Sequence, residues 1–103
     1  MDATQQRILI VDDEENVVAL FRRVLTKKGY AVQGASTAEE ALAKLEMELF
    51  DLVVTDLKMP GMSGLELLRK GRQLAPSTPF VLLTAFGTVQ TAVQAMKEGP
   101  MII

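Results

Sequence analysis

The sequence contains no cysteine and no histidine. Without cysteine the protein has no disulfide framework and no thiolate zinc site. Without histidine it has neither histidine-based catalysis nor histidine metal ligands. The lack of cysteine is also consistent with a protein of the cytosol.

Excess basic charge and long apolar runs are missing as well. Eleven lysines and arginines stand against 13 aspartates and glutamates, a formal net charge of −2, so we expect no direct contact with nucleic acid. No apolar run approaches the length of a membrane span, and residues 1–7 lack the apolar core of a signal peptide. We therefore expect a cytoplasmic protein that does not contact a membrane.

What the sequence does contain is the composition of one folded domain. Of its 103 residues, 49% are hydrophobic and 23% are charged, which excludes a disordered tail. The length is close to that of a typical single domain. We therefore treat residues 1–103 as one domain with its own core.

Apolar runs alternate with helical patterns along the chain. Four of them predict strands: residues 8–11 (ILIV), 30–35 (YAVQGA), 52–56 (LVVTD) and 80–83 (FVLL), of which the second is of mixed polarity and suits a sheet edge. Between and after the strands, apolar residues recur at helical spacing. This alternation predicts an α/β fold with a parallel sheet.

The helical patterns also carry start signals. Ser36 and Thr37 are expected to cap the second helix, whose apolar face would reach Leu49. Ser63 is expected to cap the third helix with Glu66 as its capping partner. A fourth helical stripe is predicted within residues 88–99.

Acidic residues follow two of the predicted strands. Asp12 and Asp13 come directly after the first strand, and Asp56 ends the third. If these strands are parallel neighbours, the three carboxylates meet at one sheet edge, where ligands bind in open α/β sheets. At an effective dielectric of about 20, each pair at roughly 4 Å costs on the order of 4 kcal/mol, so the cluster needs protons or a cation. Hard oxygen ligands suit Mg²⁺, and the chemistry indicated is phosphoryl transfer at a carboxylate.

Each of these residues also has a simpler interpretation. Asp12 and Asp13 could cap the first helix, Asp56 could begin a turn, and the hydroxyl of Thr84 after the fourth strand could bond in a turn. Lys58 is most simply a solvated side chain. Independent capping does not explain why acids and a threonine follow three strands at the same sheet edge, and this coincidence favours a shared site.

Three segments resemble the receiver domain of bacterial two-component response regulators: residues 8–14 (ILIVDDE), 51–66 (DLVVTDLKMPGMSGLE) and 81–85 (VLLTA). Residues 86–99 (FGTVQTAVQAMKEG) are similar to receivers of the NtrC-like class, which usually precede an AAA+ ATPase and a DNA-binding domain. The resemblance implies a CheY-like, flavodoxin-like doubly wound parallel sheet with strand order 2-1-3-4-5.

The resemblance also implies a role for each acidic residue. Asp56 would be the phosphoacceptor, attacking the phosphohistidine of a sensor histidine kinase or a small phosphodonor. Asp13, Asp56 and the backbone carbonyl of Lys58 would bind Mg²⁺, and Asp12 would hold the waters of the ion. Such a domain assists only its own phosphorylation and dephosphorylation and is not otherwise an enzyme.

Two further residues complete the implied site. Thr84 would turn its hydroxyl to a phosphoryl oxygen, and the backbone amide of Ala85 would donate to another. Phosphorylation would then control an output domain or partner.

The sequence departs from the family after Gly99. Receivers continue there through a fifth strand with an aromatic residue and a lysine, and then a fifth helix, whereas this chain has Pro100-Met-Ile-Ile103. We therefore expect the fifth strand and fifth helix to be shortened or missing, the receiver to be incomplete at its C-terminus, and phosphoryl loading to be impaired. Uncovered apolar surface would favour a homodimer or a swapped oligomer, in which residues 101–103 could pair with another strand.

Two other functions compete with a phospho-accepting switch. One is a phosphorylation-independent interaction or dimerisation module, which the missing lysine favours. The other is an aspartate-nucleophile phosphatase of the haloacid-dehalogenase type. That family uses a second aspartate two residues after the nucleophile, where this chain has Lys58, so the phosphatase has little support.

Overall fold

A computed structural model describes residues 5–83 and 101–102 of the chain. Its centre is a parallel sheet with strand order β2-β1-β3-β4-β5. The strands are β1 (Arg7–Val11), β2 (Ala31–Ala35), β3 (Leu52–Asp56), β4 (Phe80–Leu83) and β5 (Met101–Ile102). The described helices are α1 (Glu15–Lys27), α2 (Ala38–Met47) and α3 (Gly64–Leu74). The predicted α/β class and strand order are confirmed.

The sheet is apolar on both faces because helices cover both. Side chains alternate along each strand, so Ile8 and Ile10 face α1, whereas Leu9 and Val11 face α2 and α3. All four are at most 1% exposed. This two-sided burial explains why the strands form continuous apolar runs rather than alternating ones.

The predicted helix starts at α2 and α3 are confirmed. Thr37 is the N-cap of α2, and its hydroxyl accepts from the Glu40 amide at 3.0 Å, while the Glu40 carboxylate accepts from the Ser36 amide at 2.9 Å. Ser63 caps α3, and its hydroxyl accepts from the Glu66 amide at 3.2 Å. The two hydroxyl bonds satisfy amides that the helices leave unpaired.

The prediction that Leu49 lies on the apolar face of α2 is wrong. The helix ends at Met47, and the side chain of Leu49 is 82% exposed. Glu48 adopts an extended conformation and forms an ion pair with Arg7, whose guanidinium also donates to the Leu49 carbonyl at 3.1 Å. Phe50 takes the core position instead, at 5% exposure, with the Arg7 guanidinium 5.1 Å above its ring centre.

The fifth strand is short, as expected. Met101 and Ile102 pair in parallel with Val81 and Leu82 of the same chain, which places β5 at the edge of the sheet. The helix predicted within residues 88–99 lies outside the described residues. None of the helices in residues 5–83 is long and apolar enough to cross a membrane.

Candidate acidic site at the carboxyl ends of the strands

Two neighbouring strands bring the predicted acidic residues together. Val11 of β1 pairs with Thr55 of β3, so Asp12 and Asp56 follow at equivalent positions on the carboxyl edge of the sheet. Asp12, Asp13 and Asp56 each place a carboxylate oxygen within 4.8 Å of the other two. No other three acidic residues come this close within residues 5–83. The predicted convergence of these side chains is therefore present in the structure.

The three carboxylates differ in environment. Asp12 is buried, at 8% exposure, Asp56 is half-buried and Asp13 is exposed. The Asp12 carboxylate accepts from the Glu14 amide at 2.9 Å, and the Asp12 amide donates to the Ala35 carbonyl at 3.0 Å. Asp12 is thus held from both its side chain and its backbone.

The alternative in which Asp12 caps α1 does not match this geometry. The N-cap residue of α1 is Glu14, whose side chain makes no capping hydrogen bond. The Asp12 carboxylate bonds the amide of Glu14 itself, which comes before the first helical residue, Glu15. Asp12 therefore organises the turn between β1 and α1 and is aimed at the acidic cluster.

Burial raises the pKa of Asp12 to about 6, from an ordinary value of 3.8. The hydrogen bond from the Glu14 amide opposes this effect, and the negative charges of Asp56 and Asp13 add to it. An ionised Asp12 is therefore costly at neutral pH. A cation among the three carboxylates would remove that cost.

The donor set fits a hard divalent cation. All three side chains offer carboxylate oxygens, the ligands that Mg²⁺ and Ca²⁺ prefer, and Asp13 is open to solvent, which leaves room for water ligands. Two ligand oxygens on opposite sides of Mg²⁺ lie about 4.2 Å apart, and those around Ca²⁺ about 5 Å apart. The three oxygens lie within 4.8 Å of one another, inside the larger of these separations, so a bound ion requires only small side-chain movements.

The loop after β3 surrounds Asp56 with backbone groups. The Asp56 carboxylate accepts from the Lys58 amide in a long contact of 3.4 Å, and the Leu57 amide donates to the Leu83 carbonyl at 3.0 Å. The Lys58 side chain is exposed, as its simplest interpretation requires. Gly61 in this loop has a φ of 77°, a left-handed conformation that favours glycine and allows a tight turn.

Two other predicted site residues follow β4 in the sequence. Thr84 and Ala85 lie outside the described residues. The last described residue of β4, Leu83, pairs with Asp56.

Two residues that contact the Asp56 backbone were not predicted from the sequence. The hydroxyl of Thr55, a fully buried side chain, donates to the Asp56 carbonyl at 3.1 Å, and Gly64 lies directly against the same carbonyl. A threonine within an apolar strand was the available signal for the first. The sequence around Gly64 indicates only a turn.

The model of the response regulator receiver domain family matches residues 8–102. The transcriptional regulatory protein ZraR of Klebsiella oxytoca is 37% identical over 101 residues, which cover 98% of this chain and 23% of ZraR. The alginate biosynthesis transcriptional regulatory protein AlgB of Pseudomonas aeruginosa is 43% identical over 95 residues, which cover 92% of this chain and 21% of AlgB. The chain thus spans about a fifth of the length of these relatives.

Solved structures agree in fold. A CheY-like receiver domain protein of Methanospirillum hungatei superposes with a TM-score of 0.80 at 36% identity, over 96% of this chain and 79% of that one. The response regulator TrrA of Thermotoga maritima, in complex with Mg²⁺ and beryllofluoride, gives a TM-score of 0.76 at 37% identity, over 88% of this chain and 79% of TrrA. With its fold, its acidic strand ends and a family match over residues 8–102, this chain belongs to the response regulator receiver domains of two-component systems.

Proposed function

We propose that the chain is a phospho-accepting switch in which Asp56 takes up a phosphoryl group with the help of Mg²⁺. The single observation that supports this most is the cluster of Asp12, Asp13 and Asp56, whose carboxylate oxygens lie within 4.8 Å of one another. Three acids at that spacing repel one another unless a cation or protons intervene. A merely structural role for them would not require such crowding.

Asp56 is the best placed of the three to be the nucleophile. It ends β3 between β1 and β4, and it is half-buried, so a donor reaches its side chain from solvent. Asp12 is buried and already accepts a hydrogen bond from the Glu14 amide. In the proposed step, an Asp56 carboxylate oxygen bonds to phosphorus while the bond from phosphorus to the donor's leaving group breaks, which gives an acyl phosphate.

The remaining residues hold the ion and the phosphoryl group. Asp13, Asp56 and the Lys58 backbone carbonyl would be direct ligands, and Asp12, fixed by its backbone and side-chain bonds, would hold the ion's waters. When bound, Mg²⁺ offsets negative charge on the transferring phosphoryl group. The Thr84 hydroxyl and the Ala85 amide are proposed to donate to phosphoryl oxygens.

The proposed donor is the phosphohistidine of a sensor histidine kinase, or a small phosphodonor in its absence. Phosphorylation would bias a two-state surface and so control an output domain or partner. The relatives ZraR and AlgB are named as transcriptional regulators, and the matched residues cover only 23% and 21% of their lengths. An NtrC-like output, with AAA+ and DNA-binding domains, is therefore the proposed context.

Beryllofluoride, which mimics a phosphoryl group on aspartate, tests this function. We expect amide NMR shifts around Asp56, Leu57 and Lys58 when Mg²⁺ and beryllofluoride are added together, and much smaller shifts with either alone. The Asp56→Asn variant should respond to neither. Equal responses of the wild type and Asp56→Asn would contradict the proposal.

A phosphorylation-independent homodimer or swapped oligomer is the second candidate. Val17, Leu20 and Val24 form a stripe at helical spacing on α1, and within the described part of the chain Leu20 remains 44% exposed. Light scattering should show a concentration-dependent dimer that Leu20→Ser weakens. A monomer at high concentration would reject this second candidate and would leave the proposed phospho-accepting function unaffected.

A further inference from the structure

The backbone carbonyl of Asp56 is enclosed by two contacts. The Thr55 hydroxyl donates to its oxygen at 3.1 Å. On the other side stands Gly64, the buried first residue of α3: a Cβ added there would lie 2.1 Å from the Asp56 oxygen and 3.0 Å from its carbonyl carbon. Real Cβ atoms do not approach other atoms to 2.1 Å, so only glycine fits beside this peptide.

The same glycine contacts the next peptide of the loop. The Gly64 amide donates to the Leu57 carbonyl at 3.0 Å, and an added Cβ would lie 3.1 Å from the Leu57 Cα. Leu57 in turn donates to Leu83 of β4. The start of α3 thus rests on the two peptides that join Asp56 to Lys58, and both partners are backbone groups with little freedom to move.

We propose that Gly64 is a positioning residue for the phosphoacceptor: its missing side chain lets α3 rest against the Asp56 carbonyl and fixes the geometry of the acidic site. This inference rests on the proposed function of Asp56. A side chain at residue 64 must displace the peptides of Asp56 and Leu57, or α3, by about 1 Å, and misplacements of that size cost about 100-fold in catalysed reactions. The Thr55 hydroxyl secures the same carbonyl from inside the protein.

The chain offers a matched control in the same helix. Gly71 is also buried in α3, but a Cβ there would lie 2.5 Å from the Phe80 ring and 3.4 Å from the Leu45 side chain. Its neighbours are core side chains rather than the backbone of the site. Gly71→Ala therefore introduces the same methyl group, and a comparable packing conflict, without touching Asp56.

The test compares Mg²⁺ affinity in the full chain, measured by calorimetric titration at a temperature where circular dichroism shows every variant folded. We expect Gly64→Ala to weaken Mg²⁺ binding by about tenfold or more, as groups that orient metal ligands do. Gly71→Ala should lower the melting temperature yet keep the wild-type Mg²⁺ affinity. Amide NMR should show the backbone of Asp56 and Leu57 shifted in Gly64→Ala alone.

Variants of Thr55 provide a second test that introduces no steric conflict. Thr55→Val keeps the side-chain shape and removes the hydroxyl, so it should weaken Mg²⁺ binding, and Thr55→Ser should restore it. If Gly64→Ala does not fold, the Mg²⁺ affinities of Thr55→Val and Thr55→Ser test whether the contacts on the Asp56 carbonyl position the site. Equal Mg²⁺ affinities for Gly64→Ala and Gly71→Ala, or for Thr55→Val and the wild type, would overturn the inference. A wild type that binds no Mg²⁺ would instead overturn the proposed function.

Discussion

Replacing Asp12 with asparagine should make the metal-free protein more stable at neutral pH. Asp12 is buried beside Asp13 and Asp56, and burial raises its pKa to about 6. Asparagine is neutral and keeps an oxygen that can accept from the Glu14 amide, as Asp12 does at 2.9 Å. The substitution therefore removes a costly charge while preserving the turn between β1 and α1.

The size of the effect follows from the two pKa values. The Asp12 carboxyl has an ordinary pKa of 3.8 in the unfolded chain and about 6 in the folded protein. The folded state binds the proton more tightly, so the free energy of unfolding falls as the pH rises through this window, by on the order of 3 kcal/mol in total. Allowing for solvent near the site, we expect Asp12→Asn to gain about 1–3 kcal/mol at pH 7 and little at pH 4.

Urea denaturation at several pH values, in the presence of a chelator, measures this effect. Glu46→Gln is the matched control, because Glu46 lies exposed on α2 outside the cluster and should leave the stability nearly unchanged. Saturating Mg²⁺ should reduce the difference in free energy of unfolding between Asp12→Asn and the wild type, because the ion stabilises the wild type more than the variant. Two results would refute the predicted cost of the Asp12 charge: an Asp12→Asn variant no more stable than the wild type at pH 7, or a gain in stability that is the same at pH 4 and pH 7.

Two further substitutions test the fold around the site. Thr37→Ala removes the N-cap bond to the Glu40 amide and should lower the free energy of unfolding, measured by urea denaturation, by about 1 kcal/mol, whereas Thr37→Ser should restore most of it. An unchanged urea midpoint for Thr37→Ala would contradict the role of Thr37 as the cap. Ile10→Ala leaves a cavity at a core position that is 1% exposed and should lower the free energy of unfolding by about 2–5 kcal/mol. Leu65→Ala, at a partly exposed position, should lower it much less, and equal losses at the two positions would contradict the described core.

The fold was largely predictable from local patterns. The strands are continuous apolar runs because helices cover both faces, and Thr37 and Ser63 mark the helix starts through bonds to residues three positions later. The meeting of Asp12 and Asp56 was also predictable, because parallel neighbours place their carboxyl ends at one edge.

The remaining features depend on partners distant in sequence. Leu49 continues the apolar spacing of α2, but the helix ends before it. Glu48 is extended there and forms an ion pair with Arg7, which lies 41 positions earlier in the sequence. Gly64 matters because α3 folds back onto the Asp56 carbonyl, which no local pattern reveals. The strong burial of Asp12 beside an exposed Asp13 likewise arises from the packing of β1 against its neighbours.

Intact mass spectrometry after incubation with acetyl phosphate tests the central claim most directly. Because impaired loading is expected from the sequence, the incubation is followed over a long time course. We predict that part of the wild type gains the mass of one phosphoryl group in the presence of Mg²⁺, that a chelator prevents the gain, and that Asp56→Asn does not gain it under any condition. Phosphoryl gain by Asp56→Asn, or no gain by a folded wild type that is shown to bind Mg²⁺, would contradict the assignment of Asp56 as the phosphoacceptor.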